Sequence, residues 1–102
     1  MTQKFTGLFD PILHQPTRTQ IVSFLCSREQ ASFSELKELT GVTDGNLDAH
    51  LKKLLAANYL IASKEKRLNR MVTLYALTKE GVIVFKSYIA ILKVMIDHSH
   101  LK

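Results

Sequence analysis

Ser34-Glu35-Leu36-Lys37-Glu38-Leu39-Thr40-Gly41-Val42-Thr43-Asp44-Gly45-Asn46-Leu47-Asp48-Ala49-His50-Leu51-Lys52-Lys53-Leu54-Leu55 is the stretch whose reading decides the fold. Ser32 or Ser34 suits the N-cap of a first helix with Leu36 and Leu39 pointing inward. Gly41 supplies its stop, because glycine tolerates the left-handed backbone beyond a helix end. Thr43 caps a second helix, and Asp44 sits well against that helix's dipole. Leu47, Leu51, Leu54 and Leu55 then repeat at helical spacing as far as Asn58. Two helices joined by the turn Gly41-Val42 form a helix-turn-helix pattern.

In that pattern the second helix lies in the DNA major groove, and its first residues meet base edges. The buried leucines fix which face is left over. Thr43, Asp44, Gly45, Asp48, Ala49, Lys52 and Lys53 fall on the exposed side, with Asn46 and His50 flanking it. Gly45 and Ala49 are small enough for close approach of the backbone to a duplex. Asn46 can bond a base edge, and Lys52 or Lys53 can reach phosphate. Asp44 and Asp48 cost affinity there unless they accept from cytosine or pair with Lys52. A solvated helix face with no partner is the plain alternative.

Downstream the period changes. Tyr59–Ser63 and Met71–Leu77 are rich in branched and aromatic residues and read as two strands. The connection 64–70 carries Lys64, Lys66, Arg67 and Arg70 against the single acid Glu65, with Asn69 beside them. A basic hairpin following a reader helix can touch phosphates or the minor groove next to the occupied major groove. Upstream, Asp10-Pro11 reads as a cap with proline at the first helical position, opening a short helix through His14. Pro16 restarts a helix to about Ser27, with Ile21, Val22 and Leu25 on one face.

Thr78 caps a last helix, about 79–97. On a helical wheel Lys79, Lys86, Lys93 and Asp97 form one narrow polar stripe. Val82, Phe85, Ile89, Leu92 and Ile96 make one apolar seam, and Val84, Tyr88, Ile91 and Met95 a second. One seam covers the domain's own core, so the second predicts a partner, and self-association is the expectation. The interface so predicted comprises Leu8, Phe9, Ile12, Val84, Tyr88, Ile91 and Met95.

The chain has 102 residues, 46% of them hydrophobic, and a formal net charge of +5, which fits one domain (1–102) with a polyanionic partner. Cys26 is the one cysteine, so no internal disulfide forms, and beside Leu25 it reads as a small buried hydrophobe. The apolar stretch 82–96 is broken by Lys86, Ser87 and Lys93 and is not a membrane span. No signal peptide is legible, and a cytoplasmic location is expected. The histidine pair His98 and His100 and the solitary Cys26 lack metal-site spacing. His14 and His50 read as histidines satisfied by local hydrogen bonds. No phosphate loop, carboxylate pair or nucleophile–base pair stands out, so neither a cofactor nor catalysis is expected.

Leu8-Phe9-Asp10-Pro11-Ile12-Leu13-His14-Gln15-Pro16-Thr17-Arg18, Leu39-Thr40-Gly41-Val42-Thr43-Asp44-Gly45-Asn46-Leu47, His50-Leu51-Lys52-Lys53-Leu54 and Tyr75-Ala76-Leu77-Thr78-Lys79-Glu80-Gly81 together resemble a family of small prokaryotic winged-helix transcriptional regulators related to the MarR and ArsR groups. The resemblance spans nearly the whole chain. It implies a mainly α fold with a small β-hairpin (α+β): a winged helix-turn-helix with a long C-terminal dimerisation helix. It further implies a homodimer on a pseudo-palindromic double-stranded DNA operator, the Thr43 helix as reader and the hairpin as wing. A small-molecule effector is conceivable in such a family, but no residue cluster identifies one. The competing reading is a winged-helix protein–protein interaction module that does not bind DNA.

Overall fold

A computed structural model describes residues 9–98. Along them run α1 (Pro16–Cys26), β1 (Ala31–Ser32), α2 (Phe33–Thr40), α3 (Asp44–Ala56), β2 (Leu60–Arg67), β3 (Arg70–Leu77) and α4 (Lys79–His98). The strands form one antiparallel sheet in the order β1-β3-β2. This is a winged helix-turn-helix.

The segment before α1 departs from the sequence reading. Asp10 does act as a cap: its Oδ1 accepts from the Ile12 and Leu13 N–H groups at 2.7 and 3.3 Å. The His14 N–H then closes on the Asp10 carbonyl at 2.8 Å. These bonds close a single turn and not a helix. Pro16 is the reason, because a residue before proline is driven out of the helical region. Gln15 sits at φ −152 and becomes the N-cap of α1, its Oε1 accepting from the Arg18 N–H at 2.8 Å.

Local chemistry sets the next three helix ends as the sequence predicts. Ser32 and Glu35 form a capping box: the Ser32 hydroxyl accepts the Glu35 N–H at 3.1 Å, and Glu35 Oε1 accepts the Ser32 N–H at 2.8 Å. That backbone hydrogen bond, more than the nearby Arg28 and Arg67 charges, holds the Glu35 carboxyl below its usual range. Gly41 ends α2 at φ 72, and Thr43 caps α3 by accepting from the Asn46 N–H at 3.2 Å. Leu36, Leu47, Leu51 and Leu54 are buried together with Ile21, Val22 and Leu25 of α1.

At its far end α3 stops in a Schellman turn. Asn58 takes φ 66, its N–H reaches the Leu55 carbonyl, and the Tyr59 N–H reaches the Leu54 carbonyl, both at 3.0 Å. The Tyr59 carbonyl accepts the Thr78 N–H at 3.1 Å. The Thr78 hydroxyl donates to the Asn58 carbonyl at 2.6 Å and accepts the Gly81 N–H at 2.9 Å. Thr78 thereby starts α4 and ties it to the end of α3.

The hairpin is longer than predicted. Each strand has eight residues, and the connection shrinks to Leu68-Asn69. Lys64, Lys66, Arg67 and Arg70 are therefore strand residues and not loop residues. A third strand, β1, pairs Ala31 with Tyr75 and Ser32 with Leu74.

On α4 the residues turned fully inward are Gly81 and Tyr88. Tyr88 packs edge-on to Phe9 at 5.6 Å, and its hydroxyl hydrogen-bonds His14 Nδ1 at 3.0 Å. His14 in turn stacks on Phe9 at 4.4 Å. Phe9 and Tyr88, expected on the partner face, are buried within their own chain. The inward direction runs between the two seams. Val84, Ile91 and Met95 on one flank, with Phe85, Ile89 and Leu92 on the other, are each half covered. Leu8 lies outside the described residues. Cys26, expected inside, is exposed. No helix among the described residues is long and apolar enough to cross a membrane.

Gly81 packs its Cα against Tyr59, so a Cβ there would lie 2.3 Å from the Tyr59 carbonyl oxygen. Gly81→Ala is expected to destabilise the fold by about 1–3 kcal/mol. Gly45→Ala, on the open side of α3 with nothing within 4 Å, should stabilise it by about 0.5–1 kcal/mol. Urea unfolding midpoints check both, and a midpoint for Gly81→Ala at or above wild type would contradict this packing.

Candidate nucleic-acid interface

α2 and α3 meet at Gly41-Val42-Thr43, and the leucines of α3 turn its other face outward. Thr43, Asp44, Gly45, Asn46, Asp48, Ala49, Lys52 and Lys53 are all exposed, and His50 is half-buried at the edge. The structure thus leaves every predicted reader residue except His50 fully exposed around the outer side of α3.

Both acids on that surface are paired within the chain. Asp48 Oδ2 lies 2.9 Å from Lys52 Nζ one turn on, and Asp44 Oδ1 lies 2.6 Å from Lys37 Nζ of α2. The second partner was not legible, since Lys37 meets Asp44 across the helix-turn-helix corner and not along one helix. Exposed pairs of this kind add little stability. Their consequence is local: each acid on the surface offered to a polyanion has a cation beside it, at the cost of engaging Lys37 and Lys52.

His50 is positioned by a residue that the motif alone does not point to. Arg18 is buried, donates from Nε to the Ile12 carbonyl at 2.7 Å, and donates from Nη1 to His50 Nδ1 at 3.0 Å. A guanidinium has only donors, so His50 Nδ1 must be the unprotonated acceptor. Burial first, then the Arg18 and Lys53 charges, push the His50 imidazole below its usual value. Arg18 so links the N-terminal turn to the edge of the reader helix.

The hairpin register sorts the basic residues onto two sides. Residues facing one another across an antiparallel pair share a side. Ala62, Lys64 and Lys66 lie with Tyr75, Thr73 and Met71, whereas Glu65 and Arg67 lie with Val72 and Arg70. Tyr75 belongs to the core closed by α3, and after burial it is the Asp48 carboxylate of α3 that raises its phenol. Lys64 and Lys66 therefore continue the side of the sheet that meets the reader helix. Arg67 is turned the other way and bonded to Glu65 at 2.7 Å. Lys64, Lys66 and Arg70 make no ion pair among the described residues. Asn69 is at the tip, exposed.

Among the described residues no three His, Cys, Asp or Glu side chains come together as a metal site would need. His100 lies outside them. Cys26 is exposed, and partial burial outweighs the Lys86 charge in raising its thiol.

A reader helix carried on a leucine core, with a basic two-stranded ribbon beside it, defines a winged-helix DNA-binding domain. Comparison with known proteins agrees: the winged helix DNA-binding domain family matches residues 17–96, and the chain belongs to that family. An uncharacterized protein of Methanocaldococcus jannaschii is 36% identical over 78 residues, 76% of this chain and 85% of that one. Among solved structures, the transcriptional regulator homologue protein of Pyrococcus horikoshii is 29% identical, with a TM-score of 0.86 over 98% of this chain and 97% of that one. The YusO protein of Bacillus subtilis shares the fold at 20% identity and a TM-score of 0.77, over 99% of this chain and 75% of that one.

The His50 geometry gives a signed pH dependence. Its lowered folded-state value, set by burial first and then by the Arg18 and Lys53 charges, means that neutral His50 carries stability that is fully present above the ordinary imidazole value of 6.5. That stability is lost as the pH falls from there through the folded value. His50→Gln keeps an acceptor for Arg18 without titrating, so its stability should fall less than that of wild type on acidification from neutrality. Parallel curves of unfolding free energy against pH for the two proteins would refute the assignment.

Proposed function

We propose that this chain is a sequence-specific double-stranded DNA-binding transcriptional regulator that works as a homodimer and acts by binding alone. The observation that carries the reading is an outward face of α3 built from Asn46, Ala49, Lys52 and Lys53, followed by a ribbon whose exposed Lys64 and Lys66 share the side of the sheet on which Tyr75 lies. α3 lies in the major groove, with Gly45 and Ala49 allowing close approach, Asn46 on a base edge, and Lys53, with Lys52 once it leaves Asp48, at phosphates. The wing neutralises phosphates beside the groove that α3 occupies.

The homodimer rests on α4. Its 20 residues make a helix of about 30 Å, and a single domain covers only its inward line. Ile83 and Val94 are 63% and 45% exposed, and both half-covered flanks beside Tyr88 are apolar. A second copy packed along these flanks removes that surface from water. A two-fold axis through α4 then sets two α3 helices at half-sites about 34 Å apart on a pseudo-palindromic operator.

Selection from random-sequence duplexes at fixed salt, with mass followed by light scattering, tests the proposal. A dimer enriching a two-fold-related site is the expected result. A monomer, or salt-sensitive binding without sequence preference, would refute the homodimer or the specificity respectively. No binding at moderate salt would favour a protein-interaction module instead. On the selected site, Lys66→Ala should lower the slope of log affinity against log salt by about one, and an unchanged slope would take Lys66 off the phosphates.

A further inference from the structure

The wing tip carries a residue that its own fold does not favour. Leu68 and Asn69 both have positive φ, 48 and 66, the combination of a type I′ two-residue turn. Asparagine and glycine adopt that backbone readily, and a bulky residue such as leucine does so at a cost. Leu68 is also 96% exposed, so it packs on nothing that would offset the cost. Neither local conformation nor burial accounts for leucine at this position.

Its surroundings point to an occupant. Beyond Ser63↔Leu74, the last cross-strand pair with a buried member, four more pairs carry the ribbon outward. At about 3.4 Å per residue the tip stands roughly 15 Å clear of the core. Arg67 and Arg70 bracket the turn, and Lys66 faces Met71, itself 62% exposed, just behind it. A narrow apolar tip between cations matches a groove with phosphates along both walls and an interior lined by sugars and base edges. The B-DNA minor groove is such a groove, about 6 Å wide.

We infer that Leu68 enters the minor groove outside each half-site and makes an apolar contact there that selects A·T pairs. This rests on the DNA-binding reading proposed above and adds a specificity residue to it. The selectivity comes from groove chemistry. A G·C pair places the guanine N2 amino group in the minor groove, where it obstructs an apolar side chain and loses hydration against it. An A·T pair has no such group. Apolar wedges from basic proteins are a known way of engaging this groove.

The test compares wild type with Leu68→Asn on the selected duplex, with the pairs flanking each half-site made A·T, G·C or inosine·C. Inosine keeps the guanine major-groove edge but lacks the N2 amino group. Wild type should bind A·T and inosine·C flanks alike, and G·C flanks about ten-fold more weakly. Leu68→Asn should lose about ten-fold on A·T flanks and discriminate no longer. Its salt slope should not change, and its unfolding midpoint should equal or exceed that of wild type, since asparagine suits positive φ. A variant with wild-type affinity and wild-type flank preference overturns the inference, as does a wild type indifferent to its flanks. Either result leaves DNA binding itself standing, whereas a wild type that binds no duplex overturns both.

Discussion

Tyr59 is where the three parts of the molecule are held to one another. Its N–H closes the end of α3, and its carbonyl accepts from Thr78 at the start of α4 and lies against the Cα of Gly81. Its side chain crosses to the turn before α1, where the hydroxyl donates to Asp10. Burial, reinforced by that bond to a carboxylate, pushes the phenol up to about 12, so it stays a donor across the physiological range. The same Asp10 carboxylate caps the N-terminal turn through its other oxygen. One residue thus satisfies polar groups from three segments. A shift in any of them leaves a buried donor or acceptor unpaired, at about 1–3 kcal/mol for each group. The angle between reader helix, sheet and long helix is fixed by this shared requirement.

A second clamp sits halfway along the reader helix. Arg18 carries a permanent charge into the interior, where its partners are a carbonyl and a neutral imidazole and not a carboxylate. Such a charge is tolerated only while its hydrogen bonds are kept. The N-terminal turn therefore ties to α3 at its middle, through Ile12 and Arg18 to His50, and just beyond its C-terminal end, through Asp10 to Tyr59. Motion of that turn relative to α4, onto which Phe9, His14 and Tyr88 lock it, would tilt α3. The packing of α4 and the aim of the reader helix are mechanically one problem.

The parts of this design that are local in sequence are legible without the structure. Ser32 with Glu35, Thr43 with Asn46, and Gly41 each act within four residues, so the helix-turn-helix and its exposed face can be read residue by residue. The misreadings share a cause, which is dependence on a distant or non-periodic partner. β1 is two residues long and is defined only by Tyr75 and Leu74. The wing strands run through Lys64-Glu65-Lys66-Arg67, whose polarity reads as loop until pairing with β3 assigns it. Leu68-Asn69 has no glycine to announce a two-residue turn. On α4 the periodicity gives two seams, but Phe9 and His14, far off in sequence, decide that Tyr88 faces inward. The expected helix after Asp10 fails for a local reason that the sequence does contain: Pro16 denies Gln15 the helical conformation.

Reader helix and wing differ in how firmly they are held, and that difference divides their roles. α3 presents its contacts from a rigid frame: Leu47, Leu51 and Leu54 are at most 1% exposed, and its middle and C-terminal end are tied to the N-terminal turn. Small residues such as Gly45 and Ala49 are useful only if the backbone behind them keeps its place, because base-edge geometry tolerates little error. Outside Ser63↔Leu74 the ribbon has cross-strand hydrogen bonds but no core, and a lone two-stranded ribbon is marginally stable in water. A compliant arm suits phosphates and groove walls, whose positions vary with sequence-dependent groove width. In the proposed mode of binding the rigid element is thus suited to base edges and the compliant one to groove shape.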